Sequence, residues 1–178
     1  ANGSSRTFDP ESVTIPEALA PLGYVCAHIG KWHIRDGSPG DQGYVRHDGP
    51  TSNEEGNTID KTILNSYGNV VFDQGTDAKL MTQITDDGIA FMEEQVTAGQ
   101  PFYLQLSHYA MHGGWECSSA SRARYQNHPA IVAYNDGETD PEKINHTKDP
   151  AVFLGMAYDL DLKIGEVRQK LVDLGIAD

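Results

Sequence analysis

The sequence predicts an α/β fold with a mainly parallel sheet. Helical patterns and apolar, strand-like runs alternate along the chain in the order helix, strand, long loop, helix, strand, long loop, helix. This order is typical of a parallel sheet with helical crossovers. Only two convincing strands are visible, whereas sheets of this kind usually hold about five or six. The chain is therefore interpreted as an interior part of a larger α/β domain.

A short helix and a strand are predicted first. Thr14 and Glu17 have the spacing of a capping box, with Pro16 inside the first turn of the helix. Pro21 lacks an amide hydrogen and is expected to distort the end of this helix. Residues 24–29 then form an apolar run between glycines, too short for a typical helix, and predict a buried strand.

A second helix and strand follow a long polar stretch. Thr76 or Asp77 can cap a helix that runs to about Val96, because Thr and Asp side chains accept hydrogen bonds from the first amides of a helix. Gly99 is expected to end this helix. Residues 102–109 are apolar at first and mixed later, as expected for a buried strand that emerges at a site.

Two long loops and a final helix complete the pattern. Residues 35–74 are rich in Gly, Asp, Asn and Ser, and so long a loop in a compact domain is usually functional or disordered. Residues 113–148 predict a second surface excursion with a turn of helix near Arg122. The last helix is the clearest, because its apolar residues alternate spacings of four and three before Gly175: Leu160, Ile164, Val167, Leu171 and Leu174.

Composition narrows the possible functions. The chain has 178 residues, enough for one domain with a real core. Its 26 acidic and 13 basic residues give a net charge of −13, which argues against nucleic acid as a partner because phosphate-backbone binding needs clustered cations. No apolar run approaches the length of a membrane span. The two cysteines, Cys26 and Cys117, are too few for a disulfide framework and form no Cys-x-x-Cys pattern.

The most distinctive chemistry follows the first strand. Gly30-Lys31-Trp32-His33 lies at its carboxyl end, and in an open α/β sheet ligands bind in the crevice beyond the carboxyl ends of the strands. In an extended segment the side chains of Lys31 and His33 point the same way, so both could reach one ligand. A fixed cation beside an imidazole suits an anion. Without this context Lys31 would be an ordinary solvated lysine, and Trp32 is more simply explained as packing.

Three segments resemble the type I sulfatases of the alkaline-phosphatase superfamily. Residues 22–33, with Leu-Gly-Tyr and then Ile-Gly-Lys-Trp-His, are similar to that family's Gly-Tyr…Gly-Lys-Trp-His segment. Residues 100–112 resemble its Pro-Phe-Phe strand that ends in Pro-His, and residues 157–178 resemble the long helix before its metal-binding Asp-Asn turn. The resemblance implies that residues 1–178 are a partial sulfatase catalytic domain, part of a three-layer α/β/α sandwich.

The resemblance also implies roles for three side chains. Lys31 would neutralise a sulfate oxygen as charge develops in the transition state. His33 would contact the sulfate and act as the base that removes a hydroxyl proton to release it, or would instead be packed beside Trp32. His112, from the Pro-His pattern, would contact the sulfate and protonate the leaving oxygen. Met111 stands where the family has proline, which would fix the turn that aims the ring.

Other polar residues compete for roles or have simpler explanations. His108 is a rival to His112, from four residues earlier. His28 lies inside the first strand and is expected to be a satisfied core histidine. The acidic stretches at 86–87 and 159–161 could be offered as cation ligands, but each is explained more simply as a solvated helix face.

Neither the nucleophile nor the metal ligands of the family are placed in this chain. Sulfatases convert the Cys or Ser of Cys/Ser-x-Pro/Ala-x-Arg to formylglycine, whose hydrate attacks sulfur. Read from Cys117, the nearest stretch has its Ala and Arg one residue too late and follows the His112 segment, so we interpret it as coincidence. Calcium is expected in the full-length parent protein, held by an Asp-Asp pair and an Asp-Asn pair that we do not identify here.

We therefore expect a parent protein that hydrolyses sulfate esters of a saccharide or of an aryl or other small molecule, and a chain that does not do so alone. The resemblance implies a periplasmic or secreted location. Two alternatives remain open. One is a phosphate or phosphonate ester hydrolase of the same superfamily, which would share the anion site. The other is an anion- or sugar-binding domain that has kept the fold without the chemistry.

Overall fold

The described part of the chain contains both helices and strands. The computed structural model describes residues 12–34, 37–52, 63–64, 70–71, 77–137 and 149–177. The elements are α1 (Ile15–Leu19), β1 (Val25–Gly30), β2 (Arg46–His47), β3 (Ile63–Leu64), β4 (Val70–Val71), α2 (Met81–Ala98), β5 (Phe102–Ser107), α3 (Ser119–Tyr125), α4 (Pro129–Tyr134) and α5 (Pro150–Asp173). Short 3₁₀ turns occupy Ala20–Leu22, Pro39–Gln42 and Ala78–Leu80.

Three strands form a parallel sheet in the order β2, β1, β5. β1 and β5 pair along their whole length, with Val25 opposite Phe102 and Gly30 opposite Ser107. β3 and β4 form a separate antiparallel pair. The predicted α/β fold with a parallel sheet is confirmed. Because neighbouring parallel strands end at the same edge, the segments that follow Gly30 and Ser107 leave the sheet side by side.

One face of the sheet packs against α2. Ala27 and Ile29 of β1 are buried in one cluster with Ile84 and Phe91 of α2, as expected for alternate strand residues that share a face. The Phe91 ring meets the Phe102 ring of β5 edge to face, with centroids 5.8 Å apart. Such pairs add about 0.5–1.5 kcal/mol beyond their buried area. This cluster fixes β1 and β5 against the helix layer.

The helix α5 packs against α2 and α3 and builds a second apolar cluster. Val152 and Met156 of α5 are buried there against Met81 and Cys117. α5 has 24 residues, but neither α5 nor any other helix in the described ranges is long and apolar enough to cross a membrane.

The first elements follow the sequence prediction closely. The Thr14 side chain accepts a hydrogen bond from the Glu17 amide, and the Glu17 carboxylate accepts one from the Thr14 amide at 2.8 Å, so the capping box is confirmed. Pro21 lies in the 3₁₀ turn that ends the helix. The strand runs from Val25 to Gly30, one residue later than predicted.

The second helix begins later than predicted. Asp77 does accept hydrogen bonds from the amides of Thr82 and Gln83, at 2.7 and 2.8 Å. However, Lys79 and Leu80 adopt left-handed backbone conformations, with φ of 58° and 53°, so regular helix starts only at Met81. L-residues rarely adopt this conformation, and no local sequence pattern predicts two in a row.

Both predicted loops contain additional secondary structure. β2, β3 and β4 lie within 35–74, and α3 and α4 lie within 113–148, where only a turn near Arg122 was expected. Helices of six or seven residues and strands of two are too short for periodicity to show. The last helix begins at Pro150, with the Asp149 side chain as its cap. Residues 35–36, 53–62, 65–69, 72–74 and 138–148 of the two loops lie outside the described residues, and so does Thr76, the alternative predicted cap of the second helix.

Candidate functional site

The Lys31 segment is held against the ends of both long strands. The Lys31 amide donates a hydrogen bond to the Ser107 carbonyl at 2.7 Å, and the Gly30 amide donates to Asp48 Oδ2 at 2.7 Å. Gly30 has φ +100°, and a Cβ atom at this position would overlap the Ser107 carbonyl oxygen. Only glycine fits here. Lys31 therefore leaves the sheet directly beside the end of β5.

Thr51 ties the next residues into a turn. Its hydroxyl accepts from the Trp32 amide at 2.9 Å and donates to the Gly30 carbonyl at 2.7 Å. Its carbonyl accepts from the His33 amide at 2.8 Å, and His33 has φ +56°. The strand ends at Gly30 and the backbone is left-handed at His33, so the expectation of an extended segment is wrong. The argument from alternating strand residues does not apply to His33.

His112 lies in the turn that follows β5. Its amide donates to the Tyr109 carbonyl at 3.1 Å, and its ring is exposed. Nδ1 of the ring lies 3.4 Å from the Gly113 carbonyl oxygen. Because a carbonyl oxygen can only accept, the ring nitrogen is the donor in this contact.

Lys79 connects the two segments, and sequence analysis did not identify it. The residue is fully buried, and its Nζ donates to the Gly113 carbonyl at 3.3 Å. Burial lowers the Lys79 pKa to about 8; the charge of Glu116 acts to raise this pKa, and the charge of Lys31 acts to lower it. Gly113, the residue after His112, therefore contacts a buried ammonium whose pKa also responds to the charge of Lys31. A lysine near the start of a helix is ordinarily solvated, so no sequence signal distinguished this one.

Glu116 is the buried acid near Lys79. It is 6% exposed, and neither carboxylate oxygen has a hydrogen bond of good geometry within the described ranges. Burial raises the Glu116 pKa to about 7, against the opposing effect of the Lys79 charge. Acids are seldom buried unless an opposite charge is near, and here the charges of Lys79 and Glu116 each affect the pKa of the other.

His28 lies in the core, as predicted, but only one of its ring nitrogens is hydrogen bonded in the part of the chain that the structure describes. Nε2 lies 3.0 Å from the Ser107 hydroxyl, whereas Nδ1 has no partner there. The ring meets Trp32 and Tyr44 edge to face. Burial lowers the His28 pKa, with the charge of Asp48 opposing the shift.

His108 occupies a different environment from His112. It lines an apolar groove between β5 and α5 with Ala110 and Leu160. Burial lowers its pKa, although the charge of Asp77 acts to raise it. Of the two histidines, His112 is the one beside the carbonyl that Lys79 holds.

A cavity of about 390 Å³ opens beside Lys31. Trp32 and Tyr44 contribute aromatic rings to its wall, and Gln105 contributes an amide. The Tyr44 hydroxyl donates to Gln105 Oε1 at 2.6 Å. Burial raises the pKa of Tyr44 to about 12, so this hydroxyl stays protonated at neutral pH. Apolar walls with a few fixed polar groups are typical of small-molecule sites.

The acidic stretches do not form a metal site in the described residues. Asp86 and Asp161 are exposed, as expected for solvated helix faces. Asp159 differs, because it accepts from the Ser118 amide at 2.6 Å and from the hydroxyls of Ser118 and Ser121. Among residues whose placement is described, no three His, Cys, Asp or Glu side chains cluster to hold an ion. These residues therefore do not fit the calcium expected in the parent.

The nucleophile pattern needs one correction. Read from Ser118, the stretch to Arg122 is Ser-x-Ala-x-Arg, which satisfies the spacing that fails from Cys117. In the structure Ser118 and Arg122 both have structural contacts. Ser118 caps α3, and the Arg122 guanidinium donates hydrogen bonds to Asp149 Oδ2 from Nε at 3.1 Å and from Nη2 at 2.9 Å. Cys117 is buried and unpaired, and burial raises its thiol pKa to about 12, with Asp159 adding to the shift. It is not an activated nucleophile.

Several solved structures share this fold. Ps i-CgsB matches at TM-score 0.65 and 18% identity over 98% of this chain and 39% of that one, and it is also known with k-i-k-neocarrahexaose. BT4656, solved with its substrate D-glucosamine-2-N,6-O-disulfate, matches at TM-score 0.60 and 16% identity over 97% of this chain and 49% of that one. The putative sulfatase yidJ of Bacteroides fragilis matches at TM-score 0.62 and 14% identity over 97% of this chain and 42% of that one.

These likenesses establish the fold. No protein-family model and no curated protein sequence matches the chain. The chain has the fold of part of a sulfatase, as the resemblance of its motifs implied. It spans less than half the length of each of these structures.

Proposed function

We propose that this chain is part of a hydrolase of sulfate esters, and that Lys31 and His112 bind the sulfate group. The observation that carries the proposal is the buried ammonium of Lys79. Lys79 Nζ donates a hydrogen bond to the carbonyl of Gly113, next to His112, and the charge of Lys31 acts to lower the Lys79 pKa. Both segments also follow the same edge of a parallel sheet, where ligands bind in α/β proteins.

Each of the proposed site residues has a distinct role. Lys31 supplies a positive charge to a sulfate oxygen, which stabilises the negative charge that develops in the transition state. His112 gives a proton to the leaving oxygen and so acts as the general acid. His33 acts later as the base that releases sulfate from the nucleophile.

A sulfated saccharide is the proposed substrate class, with aryl and other small sulfate esters as further candidates. BT4656 was solved with a sulfated glucosamine, and Ps i-CgsB with an oligosaccharide. The cavity beside Lys31 supports the same choice, because its wall contains the aromatic residues Trp32 and Tyr44 and the amide residue Gln105. Aromatic walls with few polar groups suit a ligand that is apolar on one face and polar at its edge.

The nucleophile is proposed to be a formylglycine in a longer parent protein, outside this chain. The calcium of the parent would likewise be held by segments beyond these residues. We propose a periplasmic or secreted location for the parent. The chain alone is then expected to bind a sulfate ester without cleaving it.

The binding half of the proposal can be tested on the chain itself. Titration of the ¹⁵N-labelled chain with D-glucosamine 6-sulfate is expected to shift the amide signals of residues 31–33 and 112. Lys31→Ala is expected to weaken binding about tenfold or more, because a charge-assisted hydrogen bond is worth about 1.5–3 kcal/mol. Lys170→Ala serves as the control, since Lys170 pairs with Glu93 on exposed helix surface. Binding that is equal in both variants would contradict the assignment of Lys31.

The reaction itself requires the longer parent protein. Paired assays with 4-nitrophenyl sulfate and 4-nitrophenyl phosphate are expected to show a higher kcat/KM for the sulfate ester. A higher value for the phosphate ester would favour the phosphatase alternative. Saccharide binding without turnover of either ester would favour the binding domain.

A further inference from the structure

Lys79 lies at a place where no substrate can reach its side chain. Its side chain is fully buried, and its backbone and that of Leu80 are both left-handed. The carboxylate of Asp77, two residues earlier, accepts hydrogen bonds from the amides of Thr82 and Gln83 and so anchors this turn to the start of α2. Lys79 can therefore act on a ligand only through another residue.

The residue that it acts on is Gly113. The Gly113 carbonyl oxygen accepts from Lys79 Nζ at 3.3 Å and lies 3.4 Å from Nδ1 of His112. A carbonyl oxygen has two lone pairs and can accept both hydrogen bonds. A neutral imidazole carries only one N–H, so a ring that donates from Nδ1 has its free lone pair on Nε2.

We propose that Lys79 is a positioning residue for His112: its buried ammonium fixes the Gly113 carbonyl, which in turn holds the His112 ring with the proton on Nδ1 and Nε2 open for proton exchange. The use of that nitrogen rests on the proposed function, in which the doubly protonated His112 ring gives its Nε2 proton to the leaving oxygen and is left neutral with the remaining proton on Nδ1. The geometry of the three residues does not depend on it. An anchored carbonyl that selects one tautomer is a familiar way of preparing a histidine for chemistry.

Glu116 completes the arrangement. A buried ammonium is costly unless an opposite charge accompanies it, and the charge of Glu116 acts on Lys79 in this way. The negative charge favours the protonated form of Lys79, which is the stronger donor to Gly113. The charge of Lys31 also acts on Lys79 and opposes this effect.

The test is the tautomer of His112, measured by long-range ¹H–¹⁵N NMR on the 178-residue chain at pH 7.5. In the wild-type chain the neutral ring is expected to be mainly the Nδ1–H form. Lys79→Met, which keeps side-chain length but removes the donor, is expected to lower the ratio of Nδ1–H to Nε2–H about 2- to 10-fold, the effect of one hydrogen bond. Lys170→Met, at an exposed ion pair, is the matched control and is expected to leave the ratio unchanged.

A second measurement needs no variant, in case Lys79→Met does not fold. Raising the pH of the wild-type chain through about 8 deprotonates Lys79, and the Gly113 carbonyl ¹³C shift and the His112 tautomer ratio are expected to change with that midpoint. A wild-type ring that is mainly Nε2–H, or a ratio that responds neither to Lys79→Met nor to this titration, would overturn the inference. Because no sulfate ester is present, these results are independent of whether the parent hydrolyses one.

Discussion

The backbone of Gly30 passes so close to the Ser107 carbonyl that a Cβ atom at residue 30 would overlap the carbonyl oxygen. The same carbonyl accepts the Lys31 amide. The close approach of β1 and β5 at their last paired residues therefore determines where Lys31 leaves the sheet.

Gly30→Ala is expected to destabilise the chain by about 2 kcal/mol more than Gly23→Ala. Both glycines have positive φ, but only residue 30 would also meet another backbone, whereas a Cβ at residue 23 has no atom within 4 Å. Strain and overlap each cost on the order of 1–3 kcal/mol. Urea unfolding of the two variants measures the difference. Equal losses of stability would show that the approach of Gly30 to Ser107 is not tight.

The buried ion pair between Arg122 and Asp149 is expected to be a major support of the α3–α5 contact. Both side chains are almost fully buried, and removal of one partner leaves an uncompensated charge. Asp149→Ala is therefore expected to cost about 3–5 kcal/mol in unfolding free energy. Glu166→Ala breaks the more exposed pair with Lys163 and is expected to cost at most about 1 kcal/mol. A small loss for Asp149→Ala would contradict the buried pair.

Glu116 is expected to make folding less favourable as the pH rises from about 4.5 to about 7. Its pKa is raised to about 7 in the folded chain, so the folded state binds more protons than the unfolded state in this window. The free energy of unfolding then decreases with pH. Burial of Lys79, whose pKa is lowered to about 8, has the opposite effect: stability increases with pH above about 8, where the unfolded state binds more protons.

Glu116→Gln is expected to remove the decrease in stability between about pH 4.5 and about pH 7. Relative to the wild type, its unfolding free energy is expected to gain up to about 3 kcal/mol between pH 4.5 and 7, from the size of the pKa shift. Glu94→Gln, at an exposed pair with Arg46, makes the same charge change on the surface and is the control. Parallel pH profiles for the wild type and Glu116→Gln would mean that residue 116 is not a buried acid.

Ser118 is expected to be a structural cap and to remain an unmodified serine. Its hydroxyl donates to Asp159 and accepts from the Ser121 amide, so Ser118→Ala should cost about 0.5–2 kcal/mol. Thr97→Ala, which removes a hydroxyl from an exposed position of α2, is the control for this loss of stability. Mass spectrometry of the parent protein tests the alternative, since formylglycine at residue 118 would identify the nucleophile and overturn the structural role.

The predicted elements that the structure confirms are those with strong local signals. The capping box of Thr14 and Glu17, the apolar run of β1 and the stop at Gly99 each depend on residues a few positions apart. α3 and α4 were missed because short helices carry too few turns for a periodic stripe. The turn at His33 was missed because the bonds that form it come from Thr51, eighteen or more residues away in the chain.

By itself the sequence determined the α/β order of the chain, and through that order the edge of the sheet from which Lys31 and His112 emerge. Only the tertiary structure decided that Lys79 and Glu116 are buried and that the Gly113 carbonyl contacts both Lys79 and His112. The reason is physical. Local patterns report hydrogen bonds and apolar faces within one element, whereas the burial of a charge depends on which distant segments pack around it.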